Sequence, residues 1–270
     1  MRIPTKENLT MNDVVLNSIA SGLEDGPGLL LSNGIGTTTR AWEPQLQLLE
    51  QFFKVVRYDT RGHGDSPTPE GPYSFDMLVA DAFGVMDRHG LETASVMGCS
   101  LGSMTAMGMG LAHPERVTRI VCTAARADGP PPFVQSWDDR IAVIAEKGIA
   151  GLWGGAVGNW LTPEFREANP DVIAMMQSEF MKTTPEGYGG CAIALKGLDY
   201  LKDLPNMKVP MLFVAGSDDK GATPETMQAM AAACPGSAYA LVENAGHIIN
   251  RNQAEAFNLA ICEFLGMCGT

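Results

Sequence analysis

Short apolar runs alternate with longer segments of helical periodicity along most of the chain. Several of the short runs are apolar at consecutive positions instead of alternating with polar residues. Continuous apolarity is typical of strands that are covered on both faces of a sheet. The pattern predicts strands at 28–33, 53–59, 95–99, 117–122, 209–215 and 238–242, and a weaker, antiparallel edge strand near 12–19.

Helix signals fall between these runs. Ser74 is a suitable N-cap and Gly90 a suitable terminator for one helix, while Thr223 followed by Pro224 is a typical helix start. The pattern predicts helices at 75–89, 102–112, 224–233 and about 252–265. This alternation indicates an α/β protein with a mostly parallel sheet flanked by helices on both faces.

The alternation stops between about 127 and 205. This stretch begins with a Gly-Pro-Pro-Pro segment at 129–132, contains Trp137, Trp153 and Trp160, and has apolar residues at helical spacing. We expect a core formed by 1–126 and 206–270 and a helical cap at 127–205 that covers the C-terminal edge of the sheet. The alternative is that these helices continue the core.

Composition excludes several classes of function. The chain has 19 Lys and Arg against 31 Asp and Glu, a formal net charge of −12, and no cluster of basic residues, so a nucleic-acid partner is not expected. No apolar run approaches the length of a membrane-spanning helix, and the N-terminus lacks the apolar segment of a signal peptide. We therefore expect a cytoplasmic protein without a membrane partner. Oligomeric state is left open.

The cysteines are scattered and form no CxxC pair, so we expect reduced thiols instead of a disulfide framework, and no metal site. They are Cys99, Cys122, Cys191, Cys234, Cys262 and Cys268.

A candidate nucleophile follows the strand at 95–99. Ser100 stands in Gly98-Cys99-Ser100-Leu101-Gly102, between that strand and the next helix. A serine on so tight a turn needs small flanking residues, and the helix N-terminus directs unpaired N–H groups at developing negative charge. The backbone N–H of Leu101 is then one predicted donor to an oxyanion. The second should come from the loop after strand 28–33, where we expect it to be Ile35.

His247 is the predicted general base. It follows the last strand, and residues at that edge of the sheet face the same crevice as Ser100. The orienting acid should lie between serine and histidine in chain order. Asp218 and Asp219 follow strand 209–215, and either could reach His247; we favour Asp219.

With these residues in place, the chain resembles the α/β-hydrolase superfamily, and within it 3-oxoadipate enol-lactonases. The likeness extends over roughly 15–266 and includes the serine turn. It also includes 33–38 (NGIGTT), 41–45 (AWEPQ), 57–67 (RYDTRGHGDSP), 71–74 (GPYS), 113–117 (HPERV), 123–126 (TAAR), 137–141 (WDDRI), 160–166 (WLTPEFR) and 185–191 (PEGYGGC).

The resemblance implies an α/β-hydrolase fold and a hydrolase that needs no cofactor and opens an enol-lactone by a Ser-His-Asp triad. It also implies Asp219 as the acid, three residues after the glycine that ends the strand. Gly34 stands where the family usually has serine, and Ile248-Ile249 replace a more polar Leu-Ser pair. We therefore expect Gly34 and Ile249 to border the acyl pocket.

Within the cap, Trp137, Arg140 and Trp160 are candidates for substrate contact. A carboxylated lactone requires a cation there, for which Arg126 and Lys196 are further candidates. The predicted function is hydrolysis of a lactone or small carboxylic ester. The alternatives are an esterase or lactonase for a less polar, terpenoid or polyketide-type substrate, a carbon–carbon bond hydrolase, or a binding protein or receptor with weak turnover.

Overall fold

The computed structural model describes residues 14–267, and seven strands in this range form one sheet. The strand order is β1-β3-β2-β4-β5-β6-β7; β1 pairs antiparallel with β3, and the other neighbours are parallel. The α/β class and the mostly parallel sheet are thus confirmed. The strands are β1 (Ser18–Gly22), β2 (Gly28–Ser32), β3 (Lys54–Tyr58), β4 (Ala94–Cys99), β5 (Val117–Thr123), β6 (Met211–Gly216) and β7 (Ala238–Val242).

Six of the strands lie within two residues of their predicted bounds. The edge strand is antiparallel as expected, but it begins at Ser18, later than predicted; residues 12 and 13 of the predicted strand lie outside the described range. The strand bounds could be predicted accurately because the strands are buried. Every residue of β4 and β6 is buried, and complete burial is the property that a continuous apolar run reports.

The sheet is flanked by helices on both faces. The helices are α1 (Glu43–Leu49), α2 (Phe75–Arg88), α3 (Leu101–Ala112), α4 (Pro131–Lys147), α5 (Trp153–Trp160), α6 (Pro163–Ala168), α7 (Pro170–Phe180), α8 (Pro185–Lys196), α9 (Pro224–Ala233), α10 (Ile249–Asn252) and α11 (Ala254–Cys262). Short 3₁₀ segments lie at Thr39–Trp42, Ile149–Leu152 and Leu204–Asn206.

The helix caps explain where several helices begin and end. The Ser74 hydroxyl accepts a hydrogen bond from Met77 N at 3.3 Å, and α2 gives way to Gly90, which has a φ of 69°. The helix predicted at about 252–265 corresponds to α11. Gln253, with φ −135° and ψ 63°, precedes α11 and separates it from the short helix α10.

Residues 127–205, which we call the cap, contain α4 to α8 and connect β5 to β6. Their one strand-like contact is an isolated bridge between Asp128 and Asp199. Trp153, Trp160 and Phe180 form a cluster of rings whose centroids lie 5.5 to 6.2 Å apart. Apolar residues at helical spacing therefore pack the cap internally.

The two faces of the sheet contribute to two separate apolar clusters. Leu30 and Val56 belong to one cluster, and Leu29, Leu31 and Val55 belong to the other, because successive side chains of a strand point to opposite faces. None of the helices within residues 14–267 has the length and apolarity needed to cross a membrane. Cys99, Cys122, Cys191, Cys234 and Cys262 are free thiols; Cys268 lies outside the described residues.

The strand order reverses between β2 and β4. From β2 the chain continues to β3 on one side, and it then returns across β2 to form β4 on the other. At such a switch point the loops that follow the two strands separate and leave a crevice at the carboxyl edge of the sheet. The segments that begin at Asn33 and Ser100 border this crevice.

Candidate active site

Ser100 occupies a strained turn between β4 and α3. Its φ of 53° and ψ of −115° lie in a region that side-chain-bearing residues rarely adopt. Two glycines make the turn possible. A Cβ on Gly98 would lie 2.4 Å from the Gly102 carbonyl carbon, and a Cβ on Gly102 would lie 2.1 Å from Ser32 O. The Gly-x-Ser-x-Gly pattern is therefore a steric requirement of close backbone approach.

Leu101 is the first residue of α3, so its backbone N–H has no acceptor within the helix. The loop after β2 lies beside it. A Cβ on Gly34 would lie 3.6 Å from Ser100 Cβ, and Ile35 lines the same cavity as Ser100. The Gly34 carbonyl accepts from both Thr37 N at 3.1 Å and Thr37 Oγ1 at 2.7 Å, which stabilises this turn.

Asn33 anchors the same loop to the core. Its side chain donates to Tyr58 O at 2.6 Å and accepts from the Trp42 indole N–H at 2.8 Å. Asn33 is completely buried. The backbone around Gly34 and Ile35 is thus held in position before any ligand binds.

His247 and Asp219 form a hydrogen bond of 2.7 Å between Nδ1 and Oδ2. The other oxygen of Asp219 accepts from the backbone N–H groups of Gly221 and Ala222 at 2.8 and 3.0 Å. Asp218 is exposed, and its carboxylate accepts from the Ser217 hydroxyl. Of the two candidate aspartates, the structure brings Asp219 to the histidine and turns Asp218 outward.

The surroundings of Asp219 favour its ionised form. Burial by itself would raise the pKa of this carboxyl, but the attraction to His247, the hydrogen bond from its ring and the N–H groups of Ala222 and Gly221 outweigh it. The pKa of Asp219 consequently lies below its ordinary value. An ionised carboxylate only accepts hydrogen bonds, so Nδ1 of His247 carries the proton and Nε2 of the neutral ring has a free lone pair.

A cavity of about 480 Å³ lies between the sheet edge and the cap. Its volume falls in the range of small-molecule sites. Ser100 and His247 both line it. Most of the remaining wall is apolar and comes both from the cap and from the segments at the edge of the sheet. It includes Ile35, Met104, Phe133, Trp137, Val143, Leu152, Trp160 and Ile248.

Two cations line this cavity, Arg126 and Arg140. Arg126 forms an ion pair of 3.1 Å with Asp128. The Arg140 guanidinium lies 4.2 Å from the centroid of the Trp137 ring, and within residues 14–267 it has no carboxylate partner within 4.0 Å. Among the described residues, no aspartate or glutamate lines the cavity.

Tyr188 of α8 completes the surroundings of Arg140. Burial raises the pKa of the Tyr188 hydroxyl, and the neighbouring Arg140 opposes this effect with its charge and a hydrogen bond. Tyr188 lies in the PEGYGGC segment and lines the cavity. The residue pattern gave no reason to select it, because its role depends on the approach of α8 to α4.

Four of the five predicted substrate-contact residues line the cavity: Gly34, Trp137, Arg140 and Trp160. Ile249 does not, and this expectation is wrong. Its side chain is buried in the apolar cluster on the far face of the sheet, and Ile248 lines the cavity instead. Lys196 is also absent from the lining and forms an ion pair with Asp138.

Comparison with known proteins places this geometry in a family. Residues 29–253 match the family described as serine aminopeptidase, S33. The chain is 33% identical to 3-oxoadipate enol-lactonase 2 of Acinetobacter baylyi over 258 residues, which cover 95% of each protein. It is 28% identical to 3-oxoadipate enol-lactonase 1 of that organism over 237 residues, 88% of each.

Solved structures agree with the sequence relatives. The crystal structure of the enol-lactonase from Burkholderia xenovorans superposes with a TM-score of 0.91 at 33% identity, covering 94% of this chain and 98% of the other. The chain belongs to the α/β-hydrolase family, and it is an ester or lactone hydrolase that acts on a small molecule.

Proposed function

We propose that this enzyme hydrolyses a lactone that carries a carboxylate, as in the enol-lactone of 3-oxoadipate, through Ser100, His247 and Asp219. The observation that carries the proposal is the content of one cavity. It contains the strained serine, the histidine and, in Arg140, a cation without a carboxylate partner among the described residues.

Ser100 is the nucleophile. Its Oγ attacks the lactone carbonyl carbon while Nε2 of His247 accepts the hydroxyl proton. Asp219 holds the Nδ1–H tautomer and stabilises the imidazolium that forms. The pKa of Asp219, which lies below its ordinary value, supports this role, because the carboxylate is ionised at neutral pH.

The tetrahedral intermediate carries its charge on the former carbonyl oxygen. The backbone N–H groups of Leu101 and Ile35 are the proposed donors to this oxyanion. When the intermediate collapses, the ring C–O bond breaks and the enolate oxygen leaves. His247 gives the proton that it took from Ser100 to the enolate, which tautomerises to the ketone, while Ser100 retains the acyl group and the imidazole is neutral again.

Water then completes the reaction. His247 removes a proton from water as the oxygen attacks the acyl carbon, the ester bond to Ser100 breaks, and the serine oxygen recovers its proton from His247. The product is an acyclic keto acid with one new carboxylate. Every proton in this cycle is exchanged between the substrate, water and the triad, so the mechanism requires no cofactor.

Arg140 is the proposed carboxylate-binding group. The protein has a net charge of −12, so a lining that contains arginine and no acidic residue within the described range runs against the general composition. Arg126 is a weaker candidate because Asp128 already neutralises it. The stacking of Arg140 on Trp137 fixes one face of the guanidinium and leaves its edge for bidentate hydrogen bonds.

A second candidate is hydrolysis of a neutral lactone or ester. The apolar side chains of Met104, Val143, Leu152 and Ile248 favour it, because they offer no partner to a polar substituent. The two candidates share the triad and differ in whether Arg140 contributes to binding.

The deciding experiment compares two substrates that differ in one charge. One is an enol-lactone with a carboxylate side chain, and the other is the same lactone with a primary amide in place of the carboxylate. We expect Arg140→Met to raise KM for the carboxylate about 10–100-fold and to leave KM for the amide nearly unchanged. Arg119→Met is the matched control, because Arg119 is exposed on β5 and lies outside the cavity.

Ser100→Ala tests the nucleophile on both substrates. It should abolish turnover and leave the unfolding midpoint close to that of the wild type. Turnover of the carboxylate substrate that is insensitive to Arg140→Met would contradict the anionic substrate and favour the neutral one. Retention of a substantial rate by Ser100→Ala would contradict the proposed mechanism itself.

A further inference from the structure

The loop that carries His247 is held from the core side by the turn after β6. This histidine loop comprises residues 244–248. The Ala245 carbonyl accepts from Asp218 N at 2.9 Å, and Asn244 N donates to the Ser217 hydroxyl at 2.9 Å. Asn244 has a φ of 55°, so the loop begins in a strained conformation that needs external support.

The cap holds the same loop from the other side. Ile248 N donates to Trp160 O at 3.0 Å, at the end of α5. A Cβ on Gly246 would lie 2.7 Å from the same carbonyl oxygen, so only glycine permits this approach. The residues immediately before and after His247 are thus both packed against the junction between α5 and α6.

Asn252 connects the histidine loop to the junction between α5 and α6. Its Oδ1 accepts from Gly246 N at 2.9 Å and from Thr162 N at 3.1 Å, and its Nδ2 donates to Thr162 Oγ1 at 3.3 Å. The side chain is buried. One carboxamide therefore satisfies a backbone N–H of the histidine loop and a backbone N–H of the cap at the same time.

We propose that Asn252 is a positioning residue for His247. Asn252 ties the histidine loop to the cap and thereby makes the position of the imidazole depend on the α5–α6 junction. The inference rests on the proposed role of His247 as the general base. Asn252 is not among the residues that line the cavity, and its side chain bonds to Gly246 and Thr162, so it acts through the backbone of Gly246.

The physical reason lies in how the imidazole of His247 is held. The bond from Nδ1 to Asp219 restrains one edge of the imidazole, but the ring can still pivot about that bond if its backbone moves. A displacement of about 1 Å in a catalytic group can reduce a rate by about 100-fold. Trp160 lines the cavity and its carbonyl accepts from Ile248 N, so the same junction also borders the cavity.

The test uses Asn252→Ala, Asn252→Asp and a matched control. Asn250 is the control: it is equally buried, lies in the same turn of α10, and donates to Ala41 O and Gln45 Oε1, away from the histidine loop. Steady-state kinetics with p-nitrophenyl acetate across pH give kcat, KM and the apparent pKa of kcat/KM. Thermal unfolding midpoints separate catalytic from structural effects.

We expect Asn252→Ala to lower kcat about 10–100-fold with KM changed less than about threefold. Asn252→Asp keeps an oxygen acceptor for both N–H groups, so it should recover most of kcat. Its added carboxylate should also shift the apparent pKa of kcat/KM upward, because negative charge near the imidazole favours the protonated ring. Asn250→Ala should lower the unfolding midpoint and leave kcat nearly unchanged.

Equal losses of kcat in Asn252→Ala and Asn250→Ala would overturn the inference and assign both residues a structural role. If Asn252→Ala does not fold, Asn252→Asp decides, and a loss of kcat of about tenfold or more in this variant, which keeps the acceptor oxygen, overturns the proposal. His247→Ala identifies which idea has failed. Activity retained by His247→Ala removes the proposed function, whereas an inactive His247→Ala with a fully active Asn252→Ala removes only the positioning role.

Discussion

Oδ2 of Asp219 lies 2.7 Å from Nδ1 of His247, and the Asp219 side chain is completely buried. The two residues are 28 positions apart and stand at the ends of neighbouring parallel strands, β6 and β7. The carboxylate has no contact with solvent and accepts three hydrogen bonds, from His247, Gly221 and Ala222. It is therefore built to orient one histidine tautomer.

Replacing Asp219 by Asn should lower kcat by about 10³–10⁴-fold with little change in KM. The amide can donate to Nδ1 and thereby favours the tautomer whose Nε2 carries the proton and cannot accept one from serine. Steady-state turnover of p-nitrophenyl acetate measures the effect. Asp218→Asn, at the exposed neighbouring position, should stay within about twofold of the wild type; equal losses would contradict the assignment.

Acid stability should depend on His63. Burial lowers the pKa of His63 to about 4, while its hydrogen bond with Arg61 O opposes the shift. Between pH 6.5 and 4 the unfolded chain binds a proton that the folded chain does not, so the free energy of unfolding falls as pH falls. The slope is about 1.4 kcal/mol per pH unit, or about 3 kcal/mol in total.

Urea unfolding at several pH values between 4 and 7 measures this contribution. His63→Asn should be less stable than the wild type at pH 7, because it loses packing in a fully buried site. It should also lose less stability on acidification, since no group at position 63 titrates. Parallel curves for the two proteins would show that His63 is not the titrating group.

The glycines of the serine turn should tolerate no side chain. Gly102→Ala places a Cβ 2.1 Å from Ser32 O, a backbone atom that cannot move aside, and should destabilise the fold by about 3 kcal/mol or more. Gly84→Ala is the matched control in the exposed middle of α2, where a Cβ meets nothing within 4 Å. It should stabilise the protein by about 0.5–1 kcal/mol. Denaturant titrations that rank the two variants in the opposite order would contradict the steric explanation.

Gly34 should control the space beside the nucleophile. Gly34→Ser adds a Cβ that would lie 3.5–3.7 Å from Cys99 O, Ser100 Cβ and Thr37 Oγ1, which is ordinary contact distance. We expect the variant to fold normally and to discriminate against bulky acyl groups, with kcat/KM for a benzoate ester falling at least about tenfold more than that for an acetate ester.

Gly36→Ala provides the contrast within the same loop. Gly36 has a φ of 76°, and a Cβ there would lie 2.6 Å from the Phe180 ring. This variant should lose stability without a change in acyl preference. If Gly34→Ser lowered kcat/KM equally for acetate and benzoate esters, position 34 would have no role in acyl selectivity.

The elements of the core were predictable because their signals are local. A buried strand shows as a continuous apolar run, a helix start shows as Thr223-Pro224, and the serine turn requires glycine at positions 98 and 102 for steric reasons. The first two signals and the glycine at position 98 depend on residues within a few positions of one another, whereas the side chain that Gly102 must lack would meet Ser32 O, far away in the chain. Local signals also place Ser100 and His247 directly after strands whose carboxyl ends meet at one edge.

The details of the site depended on packing between distant segments. Alternation along the chain does not tell which residue of a turn faces inward, so Ile248, not Ile249, lines the cavity. Among the described residues, the absence of a carboxylate partner for Arg140 and the pairing of Lys196 with Asp138 follow from how α4 and α8 approach each other.

The sequence by itself determined the order of strands and helices, the serine turn and the histidine that follows the last strand. Only the tertiary structure decided between the two candidate aspartates by geometry, put an arginine with no carboxylate partner within residues 14–267 at the cavity wall, and joined the histidine loop to the cap through Asn252. The physical reason is the range of the forces involved. Hydrophobic periodicity and helix-start signals act between neighbours in the chain, whereas the side-chain bonds around the site join distant segments, 90 residues apart for Thr162 and Asn252 and 205 apart for Gln45 and Asn250.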